Sequence, residues 1–78
     1  MKYTYLVDEH WNGAHSHIRA FKTWKIAAAY FSRLLDEYAV NGVVFPVVNM
    51  PKDIEYWLAW EDSENYVCAR ACPIETEV

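Results

Sequence analysis

The sequence predicts an α+β fold: an antiparallel β-sheet of four to five strands, in ββαβββ order, with one α-helix packed on one face. Three observations lead there. Only the stretch from Thr23 to Val40 repeats its apolar residues at helical spacing. The stretches on either side are short and rich in Val, Ile, Tyr and Trp. Asn-Gly pairs stand at 12–13 and 41–42, where the pattern changes. With 78 residues, positions 1–78 make a single domain near the lower limit of independent folding. Four Trp and six Tyr supply the dense core that so short a chain requires. They exceed what a small domain can bury, so some aromatics are expected at the surface.

"KYTYLVDEHW" reads as the first strand. Asn12-Gly13 supplies the positive φ angles of a type I′ turn, and "AHSHIRAFK" returns as the second strand. In the helix, Ala27, Tyr30, Phe31, Leu34, Leu35 and Tyr38 form one apolar face. Thr23 is the expected N-cap, and Asn41-Gly42 the C-terminal stop. Asp36 and Glu37 lie where the helix dipole disfavours negative charge. "VVFPVVN" contains Pro46, which cannot donate to a ladder, so it is an edge strand or an irregular extended segment. Met50-Pro51-Lys52 connects it to "DIEYWLAWE", where alternation puts Ile54, Tyr56, Leu58 and Trp60 toward the helix and Glu55 and Trp57 outward. "DSEN" is a turn, "YVCARACPI" is the last strand, and "ETEV" is expected to fray. In the last strand the small row Val67, Ala69 and Ala71 suits the underside of a helix, which leaves Tyr66 and Arg70 outside.

A two-residue loop at Asn12-Gly13 sets a register in which His10 faces His15, Asp8 faces His17 and Val7 faces Ile18. Asp8, His10, His15 and His17 then share one solvated face, with Tyr5, Val7, Ile18 and Ala20 on the other. Three imidazoles and a carboxylate are zinc-compatible donors. The spacing matches no metal motif, and a hairpin tip gives the ligands no closed outer shell. A polar hairpin surface is the simpler reading, and no cofactor is expected. His10 with Asp8 resembles a base and its orienter, but no nucleophile stands beside them, so no enzymatic activity is expected. Cys68 and Cys72 lie about 13 Å apart along a strand, too far for a disulfide.

The expected open face carries Leu6, Phe21, Trp57 and Tyr66 with Arg19 and Arg70, a composition that suits protein binding. The net charge of −4 and the lack of a basic track argue against direct nucleic-acid binding. The opening residues lack a sustained apolar stretch, so no secretory signal is expected. No apolar run reaches membrane-spanning length, and a cytoplasmic protein without membrane partners follows.

In outline, "YTYLVDEHW", "FKTWKIAAAYFSRLLDEY" and "DIEYWLAWEDSENYVCARAC" resemble small phage-encoded type I anti-CRISPR proteins of ββαβββ order. The resemblance implies a small acidic inhibitor acting in a host bacterial cell. Its partner would be a protein or nucleoprotein complex, such as a CRISPR surveillance complex. It would occlude the surface that binds target DNA or recruits the nuclease. Glu61, Asp62 and Glu64 would then meet a lysine-rich surface as a DNA mimic, with Trp57, Tyr66 and Phe21 as anchors. Two alternatives use the same residues differently. One is a homo-oligomeric structural or accessory protein, a homodimer in its simplest form, joined through the apolar face. The other is a zinc-binding or regulatory module built on the hairpin histidines.

Overall fold

The computed structural model describes residues 2–12, 14–60 and 64–74. Its elements are β1 (Lys2–Trp11), β2 (Ala14–Phe21), α1 (Trp24–Val40), β3 (Val47–Asn49), β4 (Tyr56–Trp60) and β5 (Tyr66–Ile74). One five-stranded sheet has the order β2-β1-β5-β4-β3, with every neighbouring pair antiparallel. This is the expected α+β architecture. The helix leaves β2 at one edge of the sheet and the chain re-enters as β3 at the other, so α1 crosses the strands between them. It packs chiefly on β1, β5 and β2. Pro46 precedes the three-residue β3, which lies at the sheet edge, where a residue without an N–H costs least.

Local chemistry sets the helix ends. Thr23 is extended, with φ −131°, and its hydroxyl accepts from the Ile26 N–H at 3.3 Å. At the other end Gly42 takes φ 84°. There the Gly42 N–H donates to the Ala39 carbonyl at 3.1 Å and the Val43 N–H to that of Tyr38 at 2.8 Å, the paired bonds of a Schellman motif. Asn41 Nδ2 also donates to the Glu37 carbonyl at 3.0 Å. These donors satisfy carbonyls at the end where Asp36 and Glu37 are poorly placed for the dipole.

The core lies between α1 and the sheet: Ala27, Phe31 and Leu34 from the helix meet Val7, Ala59, Val67 and Ala69 from the strands. Alanine at three of these positions lets the helix approach closely. Aromatic groups close both ends. Trp11, Tyr38 and Phe45 contact one another at ring separations of 5.3 to 5.9 Å, and Trp57 meets Trp24 at 5.3 Å and Phe31 at 5.7 Å.

Two strand faces differ from the sequence expectation. In β4, Trp57 and Ala59 face the helix, whereas Tyr56, Leu58 and Trp60 lie on the open side, the reverse of the expected assignment; Ile54 lies outside the strand and is exposed. Both rows are apolar, so alternation alone did not decide between them. The inward row wins because Ala59 leaves room for the helix and the Trp57 indole N–H finds the Pro51 carbonyl at 3.1 Å.

The hairpin contains a bulge. Trp11 pairs with Ala14 and His10 with His15, as a two-residue loop requires. The register then shifts: Glu9 pairs with His17, Asp8 with Ile18 and Val7 with Arg19, leaving residue 16 as the extra residue. His17, Arg19 and Phe21 therefore move to the helix side, and Ile18 and Ala20 to the open side. Asn12 has the expected positive φ, 56°, while Gly13 and residues 75–78 lie outside the described residues.

Candidate functional site

The open side of the sheet carries a concavity of about 270 Å³ lined by Asp8, Tyr56, Leu58, Trp60, Tyr66, Cys68 and Arg70. Its shape follows from strand register. β4 and β5 place Tyr56 opposite Arg70, Leu58 opposite Cys68 and Trp60 opposite Tyr66. A small middle pair thus lies between two bulky pairs, and the surface dips over Leu58 and Cys68. Tyr56 (43%), Trp60 (40%) and, further along the face, Ile18 (49%) remain solvent-exposed.

A charged cluster borders the dip. Asp8 is only 3% exposed, although it lies on the open side, because its neighbours on β1, β2 and β5 enclose it. Arg70 Nη2 approaches Asp8 Oδ2 to 3.9 Å, and His10 Nε2 approaches the same oxygen to 3.7 Å. The His10 ring stacks on Tyr66 with centroids 4.5 Å apart and 12° between planes. Arg70 Nε is buried and has no hydrogen-bond acceptor. An unsatisfied buried donor costs about 1–3 kcal/mol, a local cost of this arrangement.

Burial, then the nearby Asp8 charge, pushes the Cys68 thiol up, against the opposing effect of Arg70. Burial likewise comes first in raising the Tyr66 hydroxyl, followed by Cys68 and Asp8.

Of the residues read as partner-binding, Tyr66 and Arg70 lie on the open side as expected. Phe21 and Trp57 do not: Phe21 packs on Tyr30 at 5.1 Å, and Trp57 lies under the helix. Glu64 is exposed, while Glu61 and Asp62 lie outside the described residues. Tyr56, Leu58, Trp60 and Ile18 were missed, and each follows from one of the two face reversals. The bulge also divides the histidine cluster. Asp8 and His10 stay on the open side, with His15 opposite His10 in register, but His17 faces the helix, where it accepts from Arg19 Nε at 3.0 Å. Among the described residues no group of three His, Cys, Asp or Glu side chains is placed to hold a metal ion. Arg19 lies over the Tyr30 ring at 5.5 Å rather than on the open face. Cys68 and Cys72 are free, as the strand spacing requires.

Among the described residues, fold and face together define a one-helix, five-stranded α+β domain with an aromatic sheet surface left open. Compared with protein-family models, with curated proteins and with solved structures, the chain matches none. No helix among the described residues is long and apolar enough to cross a membrane.

Proposed function

We propose that this chain is a non-enzymatic binding module that docks on a protein or nucleoprotein partner through its open sheet face. The observation that carries this reading is the concavity over Leu58 and Cys68, flanked by exposed Tyr56 and Trp60 on a face that no element among the described residues covers. Tyr, Trp and Arg around a dip are the composition of interface anchors. The resemblance to type I anti-CRISPR proteins supplies the narrower form of the proposal: the partner is a CRISPR surveillance complex, and inhibition works by occlusion.

The test compares wild type with Trp60→Glu, Ile18→Glu and, as a control on the opposite side, Ile26→Glu. Ile26 is 52% exposed on the helix. A partner captured by wild type and Ile26→Glu, but lost by the two open-face variants, supports the docking face. Equal capture by all four overturns it. For the narrower form, purified type I surveillance complex is offered to the immobilised protein at low and high salt. Unimpaired target-DNA binding and nuclease recruitment in the presence of the protein overturn that form alone.

A second reading has a specific basis. The molecule measures 46 × 26 × 17 Å, so its broad face is large enough to hold the roughly 800 Å² per partner of a standard interface. Two copies packed sheet to sheet would cover it. A mass that doubles with concentration, and reverts to monomer in Trp60→Glu, favours that homodimer.

A further inference from the structure

The two edges of the sheet differ. β3 is three residues long and stands between Pro46 and Pro51, so it offers little ladder to a further strand. β2 is eight residues long, contains no proline, and pairs only with β1 among the described residues. From His17 to Phe21 its register is regular, and His17, Ile18, Arg19 and Ala20 are all exposed. Every second residue of an edge strand turns its N–H and C=O away from the sheet, where water or an added strand can meet them. An extended peptide laid along β2 would continue the hydrogen-bond ladder.

Charge says which peptide. The chain is acidic overall, yet residues 10–35 contain no Asp or Glu and hold four of the seven Lys and Arg: Arg19, Lys22, Lys25 and Arg33. The fold gathers two of these beside β2. The Arg19 guanidinium lies 5.5 Å, and that of Arg33 5.8 Å, from the centre of the Tyr30 ring. Both residues are exposed, and neither has a carboxylate partner among the described residues. The acids on the neighbouring strand are already engaged. Asp8 is buried near His10 and Arg70, and Glu9 is buried and accepts from Tyr38. A second copy pairing β2 to β2 would set Arg19 near the same cation of its partner, so self-addition is disfavoured. A nucleic acid would meet the cations but could not continue the ladder. A strand that bears carboxylates does both.

Alternation fixes the pattern of that strand. Its residues share the two faces of β2, so one row lies beside His17 and Arg19 on the helix side and the other beside Ile18 and Ala20 on the open side. The first row meets cations, and the second meets an aliphatic side chain that is 49% exposed. We propose that the outer edge of β2 takes up an extended peptide of a partner protein that alternates acidic and apolar residues, its acids against Arg19 and Arg33 and its apolar row beside Ile18. This site is the sheet edge rather than the dip over Leu58 and Cys68, and it stands whether or not the open face docks.

The probe is a six-residue peptide alternating Glu and Val, blocked at both ends. Its counterparts carry Lys in place of Glu, or an N-methyl group on every amide, which keeps the charge and removes the donors. Binding is followed by chemical shift and hydrogen exchange of the backbone amides of the intact protein. The Glu-Val peptide is expected to shift and protect amides within residues 17–21 saturably, with a dissociation constant on the order of 1 mM. The Lys and N-methyl peptides should not bind. Arg19→Glu and Arg33→Glu should each weaken the Glu-Val peptide about tenfold or more. Val48→Glu adds negative charge at the far edge, more than a screening length away, and should change binding less than about twofold. If Arg19→Glu does not fold, Arg33→Glu on the exposed helix surface carries the comparison, with spectral dispersion as the check. Equal binding of the N-methyl peptide overturns strand addition, leaving charge attraction alone. Tighter binding of a six-residue oligothymidylate than of the Glu-Val peptide overturns the peptide in favour of a nucleic acid. Protection of residues 17–21 that grows with protein concentration in the absence of peptide makes a second copy the occupant and overturns the acidic strand. No saturable shift overturns the site.

Discussion

Tyr38 reaches down from the helix and donates its hydroxyl to the carboxylate of Glu9, which β1 buries to 8% exposure beneath it. The bond joins the last turns of α1 to β1. It also explains how a charged residue is tolerated on the inner side of the sheet. Burial first, then the hydrogen bond and charge of Glu9, pushes the Tyr38 hydroxyl from 10.0 up to about 12. The folded state therefore holds this proton where the unfolded chain has begun to release it. The resulting stabilisation is complete below pH 10 and is lost as pH rises through about 12. Denaturant midpoints should fall across that window in wild type and fall less in Tyr38→Phe. At neutral pH the same variant should lose about 1–3 kcal/mol, because Glu9 stays buried without its donor. An unchanged neutral-pH midpoint would remove this bond from the list of what holds the helix to the sheet.

Much of this fold was legible in the sequence, and the parts that were not have identifiable causes. The helix was legible because its apolar period, Thr23 cap and Gly42 stop agree with one another. The last strand was oriented correctly because its two rows differ in size, with small Val67, Ala69 and Ala71 against Tyr66 and Arg70. β4 offered no such contrast: Trp57 and Trp60 sit on opposite faces and both rows are apolar. What separates them is the Pro51 carbonyl, a tertiary partner that strand period does not encode. In β2 one extra residue reversed every side chain after it, and a bulge leaves little trace in a short polar segment such as "HSH". The candidate site depended on both of these strands. Tyr66 and Arg70 were therefore found from β5, while Tyr56, Leu58, Trp60 and Ile18 were not.

The bulge makes its own prediction. Removing residue 16 leaves His10 opposite His15 and Glu9 opposite His17, now in uninterrupted register. Deletion of Ser16 should thus retain the fold, with a melting temperature within about 5 °C of wild type. The deletion leaves Arg19 opposite Val7 and Phe21 opposite Tyr5, so both keep their packing on the Tyr30 ring. Thermal melts of wild type and the deletion decide the matter. Loss of the cooperative transition on deletion would mean that the extra residue is itself required.

The two thiols should react at different rates. Cys68 is 6% exposed and its thiol is pushed up by burial and then by Asp8. Cys72 is half-buried. A chromogenic disulfide reagent at pH 8 should modify Cys72 first and Cys68 slowly, with the two rates converging in denaturant. Asp8→Asn removes the second cause and leaves the first, so Cys68 should gain only a few-fold in rate. Peptide mapping by mass spectrometry assigns each phase. Faster labelling of Cys68 than Cys72 in the native protein would contradict the burial of Cys68 beneath the open face.

The two tryptophans of β4 should separate stability from binding. Trp57 packs against Trp24 and Phe31 and its indole N–H holds the Pro51 carbonyl, so it joins helix, sheet and the connector before β4. Trp57→Ala should cost about 3 kcal/mol, the lower end for removing a large aromatic, since the ring is only half-buried. Trp60 is 40% exposed and contributes an edge of the open concavity. Trp60→Ser should cost about 1–2 kcal/mol, less than Trp57→Ala because only part of its ring is covered, yet remove the ring that the docking proposal requires. Urea unfolding gives the first comparison, and capture of a partner, or of a second copy, gives the other. A stable Trp57→Ala that loses binding, beside a Trp60→Ser that keeps it, would return the anchor to Trp57 and reverse the assignment of faces on which the docking surface depends.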